Sequence, residues 1–263
     1  MVAQVVILQG INGTMAANST VKIERFGQGW QVDRSRPHIF HRDYWALRYI
    51  LEGVREFVQK YEGELKLGAT LDFGAEWSPY QGLFDDRGLK LIRADVIDRG
   101  PDVLKISETG QVPLADGELA GVLSTQVLEH VADVQAYLRE AHRLLKLGGL
   151  LFVSTHGAFI LHGQPYDFRR WTTTGLKYEL EQAGFVVDSV TPKLGILATS
   201  THLRSILFGG LTRKIPLTGW LRPLIYFAMN LRMGIEEAIT PASVMDSHPE
   251  LLLAIARKQK APG

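Results

Sequence analysis

Residues 112–155 read VPLADGELAGVLSTQVLEHVADVQAYLREAHRLLKLGGLLFVST, and the pattern changes period twice. Residues 120–126 are a short apolar run of strand length. From Asp133 to about Lys146 the apolar residues recur at helical spacing. Val134, Tyr137, Leu138, Ala141, Leu144 and Leu145 fall on one face, and Asp133 can cap the first turn. Gly148-Gly149 ends the helix, and residues 150–155 are apolar strand again. Strand, amphipathic helix, strand is the unit from which parallel sheets are built.

Outward from this segment the alternation continues. Strands are expected at 69–73, 89–96, 102–106, 185–190 and 250–258. A helix is expected over 41–61, with Leu47, Ile50, Leu51, Val54 and Val58 inward and Asp43 as N-cap. Another is capped by Thr172 or Thr173 and stops at Gly184. Short apolar strands between amphipathic helices predict a doubly wound, mostly parallel α/β sheet covered on both faces. Ligands of such sheets bind beyond the carboxyl ends of the strands, where strand order reverses.

The chain has 263 residues, 46% of them hydrophobic, enough for one large α/β domain. Residues 1–40 are weakly patterned and read as an N-terminal extension to a domain spanning 41–263. The extension shows no secretory signal, and Met15 is an alternative start. Its two glycosylation-type triplets, at Asn12 and Asn18, are read as chance. A net charge of +1 argues against a general nucleic-acid binder. With no cysteine, disulfides, thiolate metal sites and cysteine nucleophiles are excluded, which suits a cytoplasmic location. No run reaches the roughly 18 apolar residues of a membrane span.

"LDFGAEWSPY", 71–80, is the end of the first strand and its turn. Gly74 permits close backbone approach, and Asp95 ends the next strand 21 residues later. An acid about 20 residues beyond a glycine turn is the expected acceptor for ribose hydroxyls. Taken alone, the pair reads equally well as a strand-end glycine and a solvated aspartate.

Three further segments carry a resemblance. Pro113-Leu114-Ala115-Asp116, Val127-Leu128-Glu129-His130 and Leu145-Lys146-Leu147-Gly148-Gly149 resemble the core of class I S-adenosylmethionine-dependent methyltransferases, in the small-molecule (type 11-like) branch. The likeness covers about 65–190. It implies a Rossmann-like methyltransferase fold: seven strands, the last antiparallel. It also implies S-adenosylmethionine as cofactor. By that resemblance Asp72, Gly74 and Ala75 line the methionine and ribose side, Asp95 binds the ribose, Ile106 and Ser107 edge the adenine, and Gln126 flanks the sulfonium. Tyr80 keeps the family's turn. Glu76 stands where the family has glycine, and Trp77-Ser78 where small residues are usual. A carboxylate there either repels the cofactor's carboxylate or meets its cationic groups.

"STHGAFILHGQPYDFRRWTTTGL", 154–176, follows the fifth strand and resembles a subset of these enzymes associated with glycan biosynthesis. Arg169 and Arg170 could clamp phosphate or carboxylate, and Tyr166 and Trp171 could meet a sugar. The alternative is that the aromatics anchor the loop and the arginines pair locally. Methyl transfer needs positioning above all, and a base only for an acceptor such as a hydroxyl. His156 is the first candidate base, then His162 and Asp167. No helix carries histidines paired at metal-ligand spacing, so no metal is expected.

From Ser189 to Ile235 there is no acid, while basic and large apolar residues are plentiful. An insertion at about 192–240 of this composition suits an anionic membrane surface through 192–235, a cap for a lipid-linked substrate, a buried lid or a dimer contact. The expected function is methyl transfer to a small or glycan-type acceptor, lipid-linked if the insertion meets a membrane. The alternative is a catalytically inactive scaffold of the same fold. A nucleic-acid substrate is not expected, and the oligomeric state is left open.

Overall fold

The computed structural model describes residues 33–162, 166–215 and 218–259. The sheet has seven strands: β1 Ala69–Phe73, β2 Leu91–Asp95, β3 Val103–Lys105, β4 Leu119–Thr125, β5 Leu145–His156, β6 Phe185–Lys193 and β7 Leu251–Lys258. Their order is β3-β2-β1-β4-β5-β7-β6, with β7 antiparallel to both neighbours and every other pairing parallel. The expected sheet is therefore the observed one. Strand order reverses between β1 and β4, which fixes the switch point.

The helices are α1 Tyr44–Lys60, α2 Glu62–Leu65, α3 Gln81–Asp85, α4 Val134–Leu144, α5 Thr173–Gln182, α6 Ile196–Lys214, α7 Arg222–Ile239 and α8 Ala242–Met245. Side-chain alternation along the strands splits the core in two. Leu71, Phe73, Val122, Leu151 and Val153 face α4 and α5, and the Phe73 ring stacks on Tyr137 at 4.2 Å. Leu123, Leu150, Phe152, Leu251 and Leu253 face α1 and α3, where Val54, Phe57 and Phe84 are fully buried.

Three local expectations are corrected. Strand β5 begins at Leu145, directly after α4, rather than beyond the glycines. Leu119 pairs with Leu145 and Gly121 with Leu150, so residues 146–149 bulge out of a ladder that has already formed. Asp43 precedes α1 but makes no side-chain cap; its carboxylate is drawn to Arg42 and His202. Leu47 is only partly buried, and Ala46 and Phe57 take the inward positions.

The insertion forms the antiparallel α6–α7 hairpin. The Tyr226 hydroxyl of α7 packs against the bare Cα of Gly209 on α6, in the space that a Cβ would take. The hairpin docks on α1. Met233 and Ala198 pack with Ala46, and Trp45 Nε1 donates to the Asn230 carbonyl at 2.8 Å. Trp45 is thereby committed to the hairpin. No helix among the described residues is long and apolar enough to cross a membrane.

Candidate functional site

The carboxyl ends of β1, β2, β4 and β5 carry two groups of polar side chains. The first surrounds the turn after β1. Gly74 has φ of +91°, and a Cβ there would meet Val127 Cγ2 at 2.7 Å, so its glycine is required by the chain itself. Glu76 and Ser78 also have positive φ, +46° and +48°, which is uncommon for residues with a side chain. The winding has a use. Glu76 N–H donates to Asp95 Oδ2 at 3.0 Å, and Ser78 Oγ donates to Asp72 Oδ2 at 2.7 Å.

Asp95 is fully buried and also accepts from Ile97 N at 2.9 Å and Arg99 Nε at 2.6 Å. The Arg99 guanidinium lies 5.1 Å from the exposed Trp77 ring. Burial, with Asp95 nearby, pushes the Asp72 carboxyl up to about 6 against the lowering effect of Ser78. Glu76 is paired with Arg34 at 3.3 Å, so its charge is compensated within the chain.

Other sequence-predicted cofactor residues are divided. Ala75, Tyr80 and Ile106 are packed in the interior, and Tyr80 turns into the core beneath α1. Ser107 is exposed, its Oγ accepting from Gln111 N at 3.0 Å. Gln126 has φ of +55° and donates to Ser154 Oγ at 3.2 Å, while its Oε1 is buried with no partner among the described residues.

The second group gathers after β4 and β5. Glu129 is fully buried; its Oε2 accepts from Thr155 Oγ1 at 2.9 Å, and its Oε1 has no hydrogen-bond partner among the described residues. His156 ends β5, stacked on Phe159 at 4.4 Å, with Nε2 3.8 Å from Glu129 Oε1 and a buried, unpartnered Nδ1. Burial and the neighbouring His162 and Arg170 hold His156 well below the usual imidazole range, so it is neutral. His162 Nδ1 lies 3.1 Å from Asp167 Oδ2, and His130 Nδ1 lies 2.8 Å from the Tyr166 carbonyl. Burial acts to raise Asp167, but hydrogen bonds from His162 and Arg170 outweigh it and leave it well below the carboxylate range. Asp167 is a poor base there and an effective anchor.

The expected acceptor clamp is revised. Arg169 donates to the carbonyls of Val131 (2.6 Å) and Ala132 (2.9 Å). Arg170 is spent on Asp167 and on the carbonyls of Phe159 (3.1 Å) and Ile160 (2.5 Å). Trp171 is buried in the core. These side chains shape the loop because its backbone carbonyls need donors. Tyr166 and Phe168 remain exposed, with ring centroids 5.5 Å apart. Arg34, Arg99, Glu129 and His130 were not among the expected site residues. Glu129 and His130 could have been found from their place directly after β4.

The description "Methyltransferase domain" belongs to the family model that matches residues 84–153. A protein of Mycolicibacterium smegmatis named "Probable S-adenosylmethionine-dependent methyltransferase" is 26% identical over 247 residues, covering 85% of this chain and 93% of that protein. The ubiquinone biosynthesis O-methyltransferase of Caulobacter vibrioides is 36% identical over 74 residues, 27% of this chain and 29% of its own. Among solved structures, a SAM-dependent methyltransferase from Archaeoglobus fulgidus aligns over 79% of this chain and 94% of its own, with 16% identity and a TM-score of 0.47.

Proposed function

Because the chain is a class I S-adenosylmethionine-dependent methyltransferase, we propose that it methylates a hydroxyl of a glycan-type acceptor. The carrying observation is the exposed Tyr166–Phe168 pair, tied to the histidine group through the Tyr166 carbonyl. Flat aromatic faces at the mouth of a site suit the apolar face of a sugar ring.

The polar groups at the switch point fit the cofactor. Asp95 accepts one hydrogen bond on Oδ1 and two on Oδ2. A carboxylate has about four acceptor sites, so one on Oδ1 is left for a ribose hydroxyl. Gln126 Oε1 and Arg99 Nη2 are buried and unpartnered among the described residues, a further acceptor and donor for a polar ligand. When bound, the cofactor supplies an electrophilic methyl group on a sulfonium and leaves as S-adenosylhomocysteine.

The protein's part is to orient and to move one proton. Asp95, Gln126 and Arg99 hold the cofactor, and Tyr166 and Phe168 hold the acceptor ring. As the acceptor oxygen bonds to the methyl carbon, its proton passes to neutral His156. Phe159, stacked on His156, keeps water from the imidazole.

Calorimetric titration with S-adenosylmethionine tests the first half, with micromolar affinity expected and loss of binding in Asp95→Ala. No binding by the folded protein at millimolar cofactor would leave the scaffold role in its place. Release of S-adenosylhomocysteine with a panel of methyl glycosides tests the second half. His156→Ala should lower kcat by about 10²-fold or more with cofactor affinity unchanged. Turnover only on amines would overturn the hydroxyl assignment.

The α6–α7 hairpin supports a lipid-linked form of the acceptor. Leu207, Leu211, Ile215, Trp220 and Leu224 are exposed on a segment without acids, which suits an anionic lipid surface. Vesicles containing phosphatidylglycerol should pellet the protein at low salt, and Trp220→Asp should weaken pelleting. Failure to pellet would confine the acceptor to soluble glycans.

A further inference from the structure

We propose that Glu129, His130 and His162 form a binding site for a zinc-type divalent ion beyond the carboxyl ends of β4 and β5. One ligand atom from each lies within 4.8 Å of the other two. The three come from two loops, after β4 and after β5, which the parallel sheet sets side by side.

The hydrogen bonds around the cluster select the ligand atoms. Each histidine has its Nδ1 against an oxygen, the Tyr166 carbonyl at 2.8 Å for His130 and Asp167 Oδ2 at 3.1 Å for His162. An oxygen acceptor places the ring proton on Nδ1 and leaves the lone pair on Nε2, the arrangement that metal-binding imidazoles share. Asp167 is itself held by Arg170, so the support extends one residue further out.

Glu129 provides the independent evidence. Its side chain is fully buried, and Oε2 is fixed by Thr155 while Oε1 has no hydrogen-bond partner among the described residues. A bare buried carboxylate oxygen is costly unless a cation meets it. His156 Nε2, at 3.8 Å, is beyond hydrogen-bond distance and does not serve.

Two imidazole nitrogens and one carboxylate oxygen suit zinc rather than magnesium or calcium, which prefer oxygen throughout. Neighbouring ligands around tetrahedral zinc are separated by about 3.3 Å, given Zn–N bonds near 2.0 Å. The cluster therefore has to tighten when the ion binds. Three protein ligands leave an open position. Here the inference rests on the methyl-transfer reading: the open position takes the acceptor hydroxyl oxygen and makes its proton easier for His156 to remove. The lack of paired histidines on any helix had argued against a metal; the ligands are gathered by loops instead.

The test is calorimetric titration of the chelator-treated, full-length protein with zinc chloride, alongside S-adenosylmethionine. Wild type should take up one equivalent with micromolar or tighter affinity. Glu129→Gln keeps the side-chain shape and should weaken zinc binding at least about 100-fold, as should His130→Ala. Asp167→Asn, which removes the carboxylate beside His162 Nδ1 without removing a ligand, should cost about 10- to 100-fold. Cofactor affinity should be unchanged in all three, so loss of the metal site is distinguishable from failure of the methyltransferase reading. No saturable zinc uptake by folded wild type at about 100 μM, or uptake equal in Glu129→Gln and His130→Ala, would overturn the proposal.

Discussion

Two histidine–carboxylate clusters meet at Phe159, whose ring centroid lies 4.4 Å from that of His156 and 5.5 Å from that of His202. They are built from the same residue types to opposite ends. His202, on α6, is enclosed. Its Nδ1 meets Glu250 at 2.8 Å and its Nε2 meets Asp43 at 3.3 Å, while Asp43 is also paired with Arg42 at 2.8 Å. Burial disfavours a charge on His202, but Glu250 and Asp43 outweigh it and push its pKa up to about 10. Every ring nitrogen is spent on joining α6 to the start of α1 and the entry to β7. In the other cluster, among the described residues, His130 and His162 each have one ring nitrogen, and Glu129 one oxygen, without a hydrogen-bond partner. The closed cluster fastens the hairpin to the domain, and the open one has capacity for something from outside.

The largest effect should come from breaking the closed cluster. His202→Ala leaves two carboxylates at the base of α6 without their shared cation. Loss of one partner of a buried ion pair costs about 3–5 kcal/mol, measurable by urea denaturation at pH 7. The pH dependence has a definite sign. A pKa raised above the unfolded value of 6.5 gives stability that is complete below pH 6.5 and is lost as pH rises through about 10. The stability gap between wild type and His202→Ala should therefore narrow from pH 7 to pH 10. A gap that stays constant would mean His202 is neutral, and the contrast between the clusters would collapse.

Asp72 gives the next effect, with the other consequence of burial. Its pKa is raised from 3.8 to about 6, so the folded state favours the protonated acid. The associated stability is complete below about pH 4 and lost as pH rises through 6. The shift corresponds to roughly 3 kcal/mol at neutral pH, by 1.36 kcal/mol per unit. Asp72→Asn should thus stabilise the protein at pH 7.5 by up to about that amount and by nothing below pH 4. Equal gains at both pH values would show that the side chain's shape, and not its charge, is responsible.

Much of this architecture was legible because it depends on period. The strands, α4 with five of its six expected inner residues, and the Thr172 cap follow from spacing alone; the sixth, Leu145, already belongs to β5. What was hidden depends on partners distant in sequence. Asp43 has the composition of an N-cap, yet its carboxylate goes to the adjacent Arg42 and to His202, 159 residues away. Arg169 and Arg170 look like an anion clamp, but the irregular loop that carries them offers bare carbonyls, and burial satisfies those first. The turn after β1 reads as a glycine loop gone astray. Its positive φ angles at Glu76 and Ser78 make sense only once Asp95 and Asp72 are seen as the acceptors that the loop winds around to reach.

The smallest effect in the metal-free protein is also the sharpest test of the contrast. Glu129→Gln removes a charge whose Oε1 has no partner, while Thr155 can still donate to the retained carbonyl oxygen. Without metal the substitution should stabilise the fold by about 1 kcal/mol, the reverse of the His202 result, since a buried charged acceptor without a donor is a net cost. With zinc at about 100 times its dissociation constant, wild type should gain about 2.7 kcal/mol by mass action and the variant almost none. The order of the two melting temperatures should therefore cross as zinc is added. If Glu129→Gln is instead destabilising without metal, Oε1 is satisfied within the chain, and the open cluster is a second closed one.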